Sequence, residues 1–329
     1  MCIVLPLTWP LIEISSGAIP FESISDQFIE LWNIVQMRCL WQPMAFIFLF
    51  NMLTVPNAAY QNFLLLGLGL SPLYMGVLDI TATIITLVAM VFIQLFYNHI
   101  FIYLFLDLIL YSYIIILFLF IYLFIYLLKI LYQKFLFSAS IRSMYIINMV
   151  LGIVYTVFQY ILILRLNIAI GFPDIAYLVC LTVFGVLLTA LIFVPTITMY
   201  VSICPEGSEG TTYALLTTIG NIGSTVSSDI GTLFLKIWDC SNDAIKSGNY
   251  TGVENLVILT ACTSIIPIFF VWLLPESKEY LLALKSSGEK NKIGGIVVLS
   301  VLVVSIVFTV VLNLYILLTP GQSEVKADE

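Results

Sequence analysis

Charge is the scarcest property of this 329-residue sequence. Only 9% of its residues are Asp, Glu, Lys or Arg, against about 25% in a soluble domain. Histidine is nearly absent, with His99 alone. Paired histidines or other dense catalytic clusters are missing, so the chain is not expected to be an enzyme. The six cysteines, Cys2, Cys39, Cys180, Cys204, Cys240 and Cys262, are scattered without a CxxC pair. That excludes a recognisable disulfide framework or zinc site and leaves them as small packing residues; no cofactor or metal is expected. The net charge is −7, and no basic surface suggests nucleic acid as a partner. Residues 1–29 lack a basic start and a clean apolar centre, so they do not read as a signal peptide. Residues 1–34 are expected to be poorly ordered.

What the chain has in abundance is apolar length. It is 61% hydrophobic with a mean hydropathy of +1.11. Several runs reach the roughly 20 residues that cross a bilayer core. Short alternating strands of a barrel are not seen. The expected class is an all-α, polytopic membrane helix bundle embedded in lipid. Spans are predicted at about 42–65, 72–95, 143–164, 175–203, 210–235, 255–274 and 294–318. Pro56, Pro195 and Pro267 fall inside them, which fits either moving, bent helices or passive kinks.

One segment does not match its neighbours. From Gln94 to Leu131, 32 of 38 residues are Phe, Ile, Leu or Tyr, and none is Gly, Ala, Val or Thr. Without small residues it has no face for close helix packing. Segment 94–131 is therefore read as an insertion, either translated non-coding sequence or a lipid-facing appendage. If it does not cross, Arg38, Lys134, Arg142, Lys278, Lys285, Lys290 and Lys292 share one side. Arg165, Lys236 and Lys246 share the other, with Lys326 in the tail. The charge rule puts the first group in the cytoplasm. The sequon Asn249-Tyr250-Thr251 then lies outside.

The most informative stretch is CPEGSEGTTYALLTTIGNIGSTVSSDIGTLF, a polar segment in an apolar chain. At 100° per residue, Thr217, Ser224, Thr225, Ser228 and Thr232 fall within about 60° of Asn221. Asp229 lies at the edge of that stripe. On the next face Gly223, Ser227 and Gly231 repeat every four residues, the small-residue pattern of tight helix contact. A buried charge is costly in lipid, about 2.5 kcal/mol or more, so Asp229 should face water or a partner. The stripe reads either as the wall of an aqueous solute path or as packing glue whose hydroxyls bond their own helix. Asn51, Asn57 and Gln61 repeat the theme around Pro56, and Asp79 starts the second span.

These residues also carry a resemblance. CPEGSEGTTYALLTTIGNIG (204–223) is similar to the signature of the folate–biopterin transporter family, part of the major facilitator superfamily. WQPMAFIFLFNMLTVPNAAYQNFLLLGLGLSPLYMGVL (41–78), YQKFLFSASIRSMYIINMVLG (132–152) and LLPESK (273–278) agree with it in order. The likeness covers about 35–92 and 132–285. It resembles the C-terminal six-helix half of a twelve-helix, major-facilitator-type fold. The resemblance implies two transporter-like spans in 35–93, the insertion 94–131, four more spans in 132–285, an extra helix in 286–320 and an acidic tail in 321–329. It further implies transport of folate- or pterin-like solutes by alternating access, with either a missing N-terminal half or a homodimer partner completing the carrier. The competing expectation is a transporter remnant without activity.

The expected solute contacts are Asn57, Gln61, Asn221, Thr225, Ser228 and Asp229, whose amides, hydroxyls and carboxylate match the edge of a pterin ring. Glu206 and Glu209 are expected to cap or gate the polar helix, where acids favour its dipole. Lys134 or Arg142 would be their partners in a closed state. Arg165 is the candidate for recruiting an anionic tail.

Overall fold

In lipid the backbone has no water to bond, so an apolar chain that spans the bilayer satisfies its N–H and C=O groups within helices. The computed structural model describes residues 24–95, 140–205 and 207–318, and every described element longer than a turn is helical. In order these are α1 (Ile24–Val35), α2 (Arg38–Leu53), α3 (Tyr60–Asn62, continuing as a π-turn over Phe63–Gly67), α4 (Pro72–Leu95) and α5 (Ile141–Ile163). They are followed by α6 (Leu166–Ala169), α7 (Asp174–Ile203), α8 (Glu209–Phe234) and α9 (Asn242–Lys246). Last come α10 (Thr251–Ile265, continuing as a 3₁₀ segment to Leu273), α11 (Lys278–Ser287) and α12 (Lys292–Leu318). Among the described residues, four helical stretches are long and apolar enough to cross a membrane: α5, α7, Thr251–Leu273 and α12. The protein is an integral, multi-pass, all-α membrane bundle.

Most span boundaries agree with the sequence reading, and the exceptions have physical causes. Residues 24–35 form α1 inside the segment expected to be poorly ordered; Ile34 and Val35 at its end are buried. The first span is not one helix. α2 ends at Leu53 and the chain is irregular from Thr54 to Ala59. Pro56 has no N–H and disfavours helix in the residue before it, so the break falls where it stands. Pro195 stays within α7. Pro267 is the second residue of the tighter 3₁₀ segment that continues α10, so the change of helix type falls where a backbone N–H is missing. From residue 96 onward the atypical segment 94–131 lies outside the described residues, as do His99, Lys134, Glu206 and the tail 321–329.

Serines and an asparagine start several helices. Ser140, Ser241 and Ser277 accept the N–H of Ser143, Ala244 and Tyr280 at 3.0–3.3 Å, and Asn291 accepts those of Ile293 and Gly294. Each replaces a partner the first helical turn lacks.

Two apolar clusters lie at opposite ends of the bundle. One gathers Phe46, Ile47, Tyr145, Met199, Ile203, Leu216 and Ile219 from α2, α5, α7 and α8. Phe46 and Phe50 meet the Tyr145 ring edge-on at 4.9 and 5.1 Å, and the Tyr145 hydroxyl pairs with Thr196 at 2.6 Å. The other cluster surrounds Phe63, Leu162, Ile163, Leu181, Ile245, Val253 and Leu256. The outward faces of α5, α10 and α12 carry exposed Val150, Val157, Ile258, Phe269, Val303 and Val304. That is the surface expected of helices that lipid covers.

Candidate functional site

α8 is held in place by its small face. A Cβ on Gly223 would stand 2.9 Å from the Phe48 carbonyl oxygen, and one on Gly231 would stand 2.9 Å from that of Pro56. Between them, Ser227 donates its hydroxyl to Thr54 O at 2.9 Å. The three small residues thus lie along α2 and the irregular segment after it, and the two helices run in the same direction. Glycine is required at 223 and 231 because backbone meets backbone there. Higher up the same contact, Gly220 faces Ile47 and the Asn51 amide.

Fixing that face turns the polar stripe outward. Asn221, Ser224, Thr225 and Ser228 are exposed, and Thr217 and Thr232 half-buried. Every hydroxyl in the stripe donates within its own helix. Thr217 bonds Tyr213 O, Ser224 bonds Gly220 O and Thr225 bonds Asn221 O, while Ser228 and Thr232 bond the carbonyls of Ser224 and Ser228, all at 3.0–3.3 Å. This back-bonding uses up the hydroxyl hydrogens and leaves the oxygens free as acceptors. Asn221, with an amide, is the stripe's donor. Chemically the face is rich in acceptors, suited to a solute that presents N–H groups.

Asp229, at the stripe's edge, is buried to 9% exposure. Its Oδ2 has no hydrogen-bond partner among the described residues. The other proposed contacts stand differently. Asn57 donates to Val253 O at 3.3 Å and accepts the Ala59 N–H at 3.0 Å. It closes the turn after Pro56 and ties it to α10. Gln61 is exposed on α3. Asp79 is exposed on α4, and Thr83 bonds its backbone carbonyl.

At the start of α8, Gly207 adopts φ 87°, a left-handed conformation that favours glycine. Both Glu209 carboxylate oxygens accept its N–H at 3.0 Å, so Glu209 folds back onto the turn it follows. Glu206 and Lys134 lie outside the described residues. Arg142 is engaged elsewhere: it bonds Leu274 O at 2.7 Å, Trp272 O at 3.1 Å and the Glu276 carboxylate at 2.8 Å. It therefore clamps the first turn of α5 to the chain leaving the 3₁₀ segment. Arg165, itself left-handed at φ 60°, pairs with Asp174 at 3.0 Å. Asn167 bonds the other oxygen of that carboxylate at 2.7 Å. The three residues brace the turn between α5 and α7.

Sequence reasoning passed over Lys285. From α11 its ammonium reaches Cys204 O at 2.6 Å and Ser202 O at 3.2 Å, the open end of α7. A cation there satisfies carbonyls that the helix cannot and complements its dipole. Nothing local to Lys285 signals a partner 81 residues away.

An all-α bundle of membrane-length helices, with a polar stripe on a glycine-packed helix, defines the class as polytopic membrane protein. The family model described as BT1 family matches residues 10–292, and the chain belongs to that family. Among curated proteins it is similar to Folate transporter 1 of Plasmodium falciparum. That match is 25% identical over 148 residues, 45% of this chain and 28% of the relative. Probable folate-biopterin transporter 5 of Arabidopsis thaliana is 26% identical over 46% of this chain and 30% of its own length. Folate-biopterin transporter of Synechocystis is 29% identical over 44% and 28%. The matched part therefore spans under a third of each of these relatives. No solved structure matches the chain significantly.

Proposed function

We propose that this chain carries folate- or pterin-like solutes across a membrane by alternating access, with the stripe of α8 lining the solute path. The observation behind the reading is the exposed run Asn221–Ser224–Thr225–Ser228 on a helix whose opposite face is locked to α2. A lipid-facing helix in this bundle carries Val, Ile and Phe instead. Family membership and the names of the relatives point the same way. Because the stripe offers mainly acceptors, its natural counterpart is the amino and ring N–H edge of a pterin. Asn221 would read a solute carbonyl, and Asp229 would take an N–H once the solute or a conformational change uncovers it. Alternating access needs a second unit across the stripe, either an N-terminal six-helix half or a second copy of this chain. Asn57 and Arg165 serve this reading as braces that fix the frame.

The test is uptake of labelled folate or pterin by cells expressing the chain, beside Asn221→Ala combined with Asp229→Ala. The expected outcome is loss of uptake at unchanged surface expression. Unaltered uptake in the variant rejects the assignment. Absence of uptake by the parent chain favours the second reading, a chain that does not transport by itself.

A further inference from the structure

A second polar feature lies away from the stripe, where α2 and α12 begin. A cavity of about 620 Å³ there is lined by Arg38, Trp41, Gln42, Glu289, Lys290, Asn291, Lys292 and Ile293. Its size is within the range of small-ligand clefts, about 300–1,000 Å³. Three of the chain's twelve basic residues meet in it, opposed by one acid, in a chain of net charge −7. Two helices open onto it, since Arg38 is the first residue of α2 and Lys292 the first of α12. Helix starts favour negative charge through their dipoles.

The cavity is built rather than incidental. Arg38 N bonds Glu289 O at 2.9 Å and Asn291 N bonds Gln36 O at 2.7 Å, so the chain before α12 is pinned along the start of α2. Glu289 pairs with Arg38 at 3.0 Å, and Lys290 reaches Asn33 at 3.3 Å. Trp41 packs against Gly294. Its indole Nε1–H is buried and has no acceptor among the described residues.

We infer that this cavity binds the phosphate of an anionic membrane lipid. Position selects a lipid over a soluble phosphate. At 1.5 Å per residue the 27 residues of α12 extend about 40 Å, the thickness of a bilayer with its headgroup layers. Lys292 therefore sits at headgroup depth, the level where tryptophan is also at home. Directly below, Ile293, Ile296 and Val297 are exposed on α12. The cations face a phosphate and the aliphatic wall accommodates an acyl chain, so the site matches an amphiphile. Its residues lie outside the proposed solute path, and the inference does not depend on that path.

Native mass spectrometry of the purified full chain, titrated with phosphatidylglycerol, phosphatidylcholine or glycerol 3-phosphate, tests it. One phosphatidylglycerol per chain should persist where phosphatidylcholine is lost. Arg38→Gln combined with Lys292→Gln should weaken retention about 25-fold, from about fivefold per cation. Glu289→Gln removes the one acid in the lining and should strengthen it, an opposite change that a misfolded protein does not give. Equal retention of the two lipids, or retention unchanged in both variants, overturns the inference. Competition by glycerol 3-phosphate as strong as by the lipid also overturns it, in favour of a soluble anion.

Discussion

Individual residues in this protein divide into those that brace and those left available. Arg142 illustrates bracing. Its planar guanidinium satisfies two backbone carbonyls and a carboxylate at once, a fork that an ammonium cannot reproduce. Arg142→Lys should therefore resemble Arg142→Gln more than the parent. Each is expected to lower stability by about 1–3 kcal/mol, read as a lower unfolding temperature in detergent. A parent-like Arg142→Lys would show that charge alone holds the clamp. Ser227 is a smaller case. Its single bond to Thr54 O makes Ser227→Ala worth about 0.6 kcal/mol, the average for such bonds between membrane helices. Arg165 was expected from the sequence to recruit an anion and is found beside Asp174. A single cation at a span end carries no sign of whether its counter-charge lies within the chain or arrives with a solute.

At the scale of the element, α8 is the helix whose two faces were legible in advance. Its small residues recur every four positions and its polar ones cluster on one side, because helical periodicity is local. Gly223→Ala and Gly231→Ala should each force α8 away from α2, since the obstacle is a backbone carbonyl at 2.9 Å. Overpacking of this kind costs about 1–3 kcal/mol. Gly152→Ala on α5 meets nothing within 4 Å and should be neutral or stabilising by about 0.5–1 kcal/mol. Thermal unfolding of the three variants side by side checks the contrast, and equal losses would mean helix propensity rather than contact is being measured. The first span was less legible. An apolar run from Trp41 to Leu66 reads as continuous, yet Pro56 divides it into α2 and α3. Pro195 is equally a proline and leaves α7 unbroken, so the residue type alone does not announce a break.

For the whole molecule, the orientation of α8 decides what the bundle presents to a partner or a solute. Ser224→Cys and Ser228→Cys, in a chain freed of its native cysteines, should react in membranes with a water-soluble maleimide. Val303→Cys, exposed on α12, should not. If the two stripe positions stay as unreactive as position 303, the stripe faces lipid and the solute path is lost. α12 packs on both α8 and α2, and Lys236 just beyond α8 lies 5.1 Å from the Tyr315 ring. The helix beyond the family-like spans is thus part of the bundle, adjoining the helix that carries the stripe.

The amino-acid sequence alone determined that this is a helical membrane protein, where most of its long helices begin and end, and which residues share a face of α8. Those properties depend on apolar length, caps and a 3.6-residue period, all encoded within a few turns of chain. Tertiary structure decided that the glycine face meets α2, that Asp229 is buried, and that Asn57, Arg142, Arg165 and Lys285 each hold another segment. It also brought Arg38 to Glu289 across 251 residues of chain and so formed the basic cavity. Pairings at such separations follow from how helices stack, and no local pattern of side chains specifies the stacking.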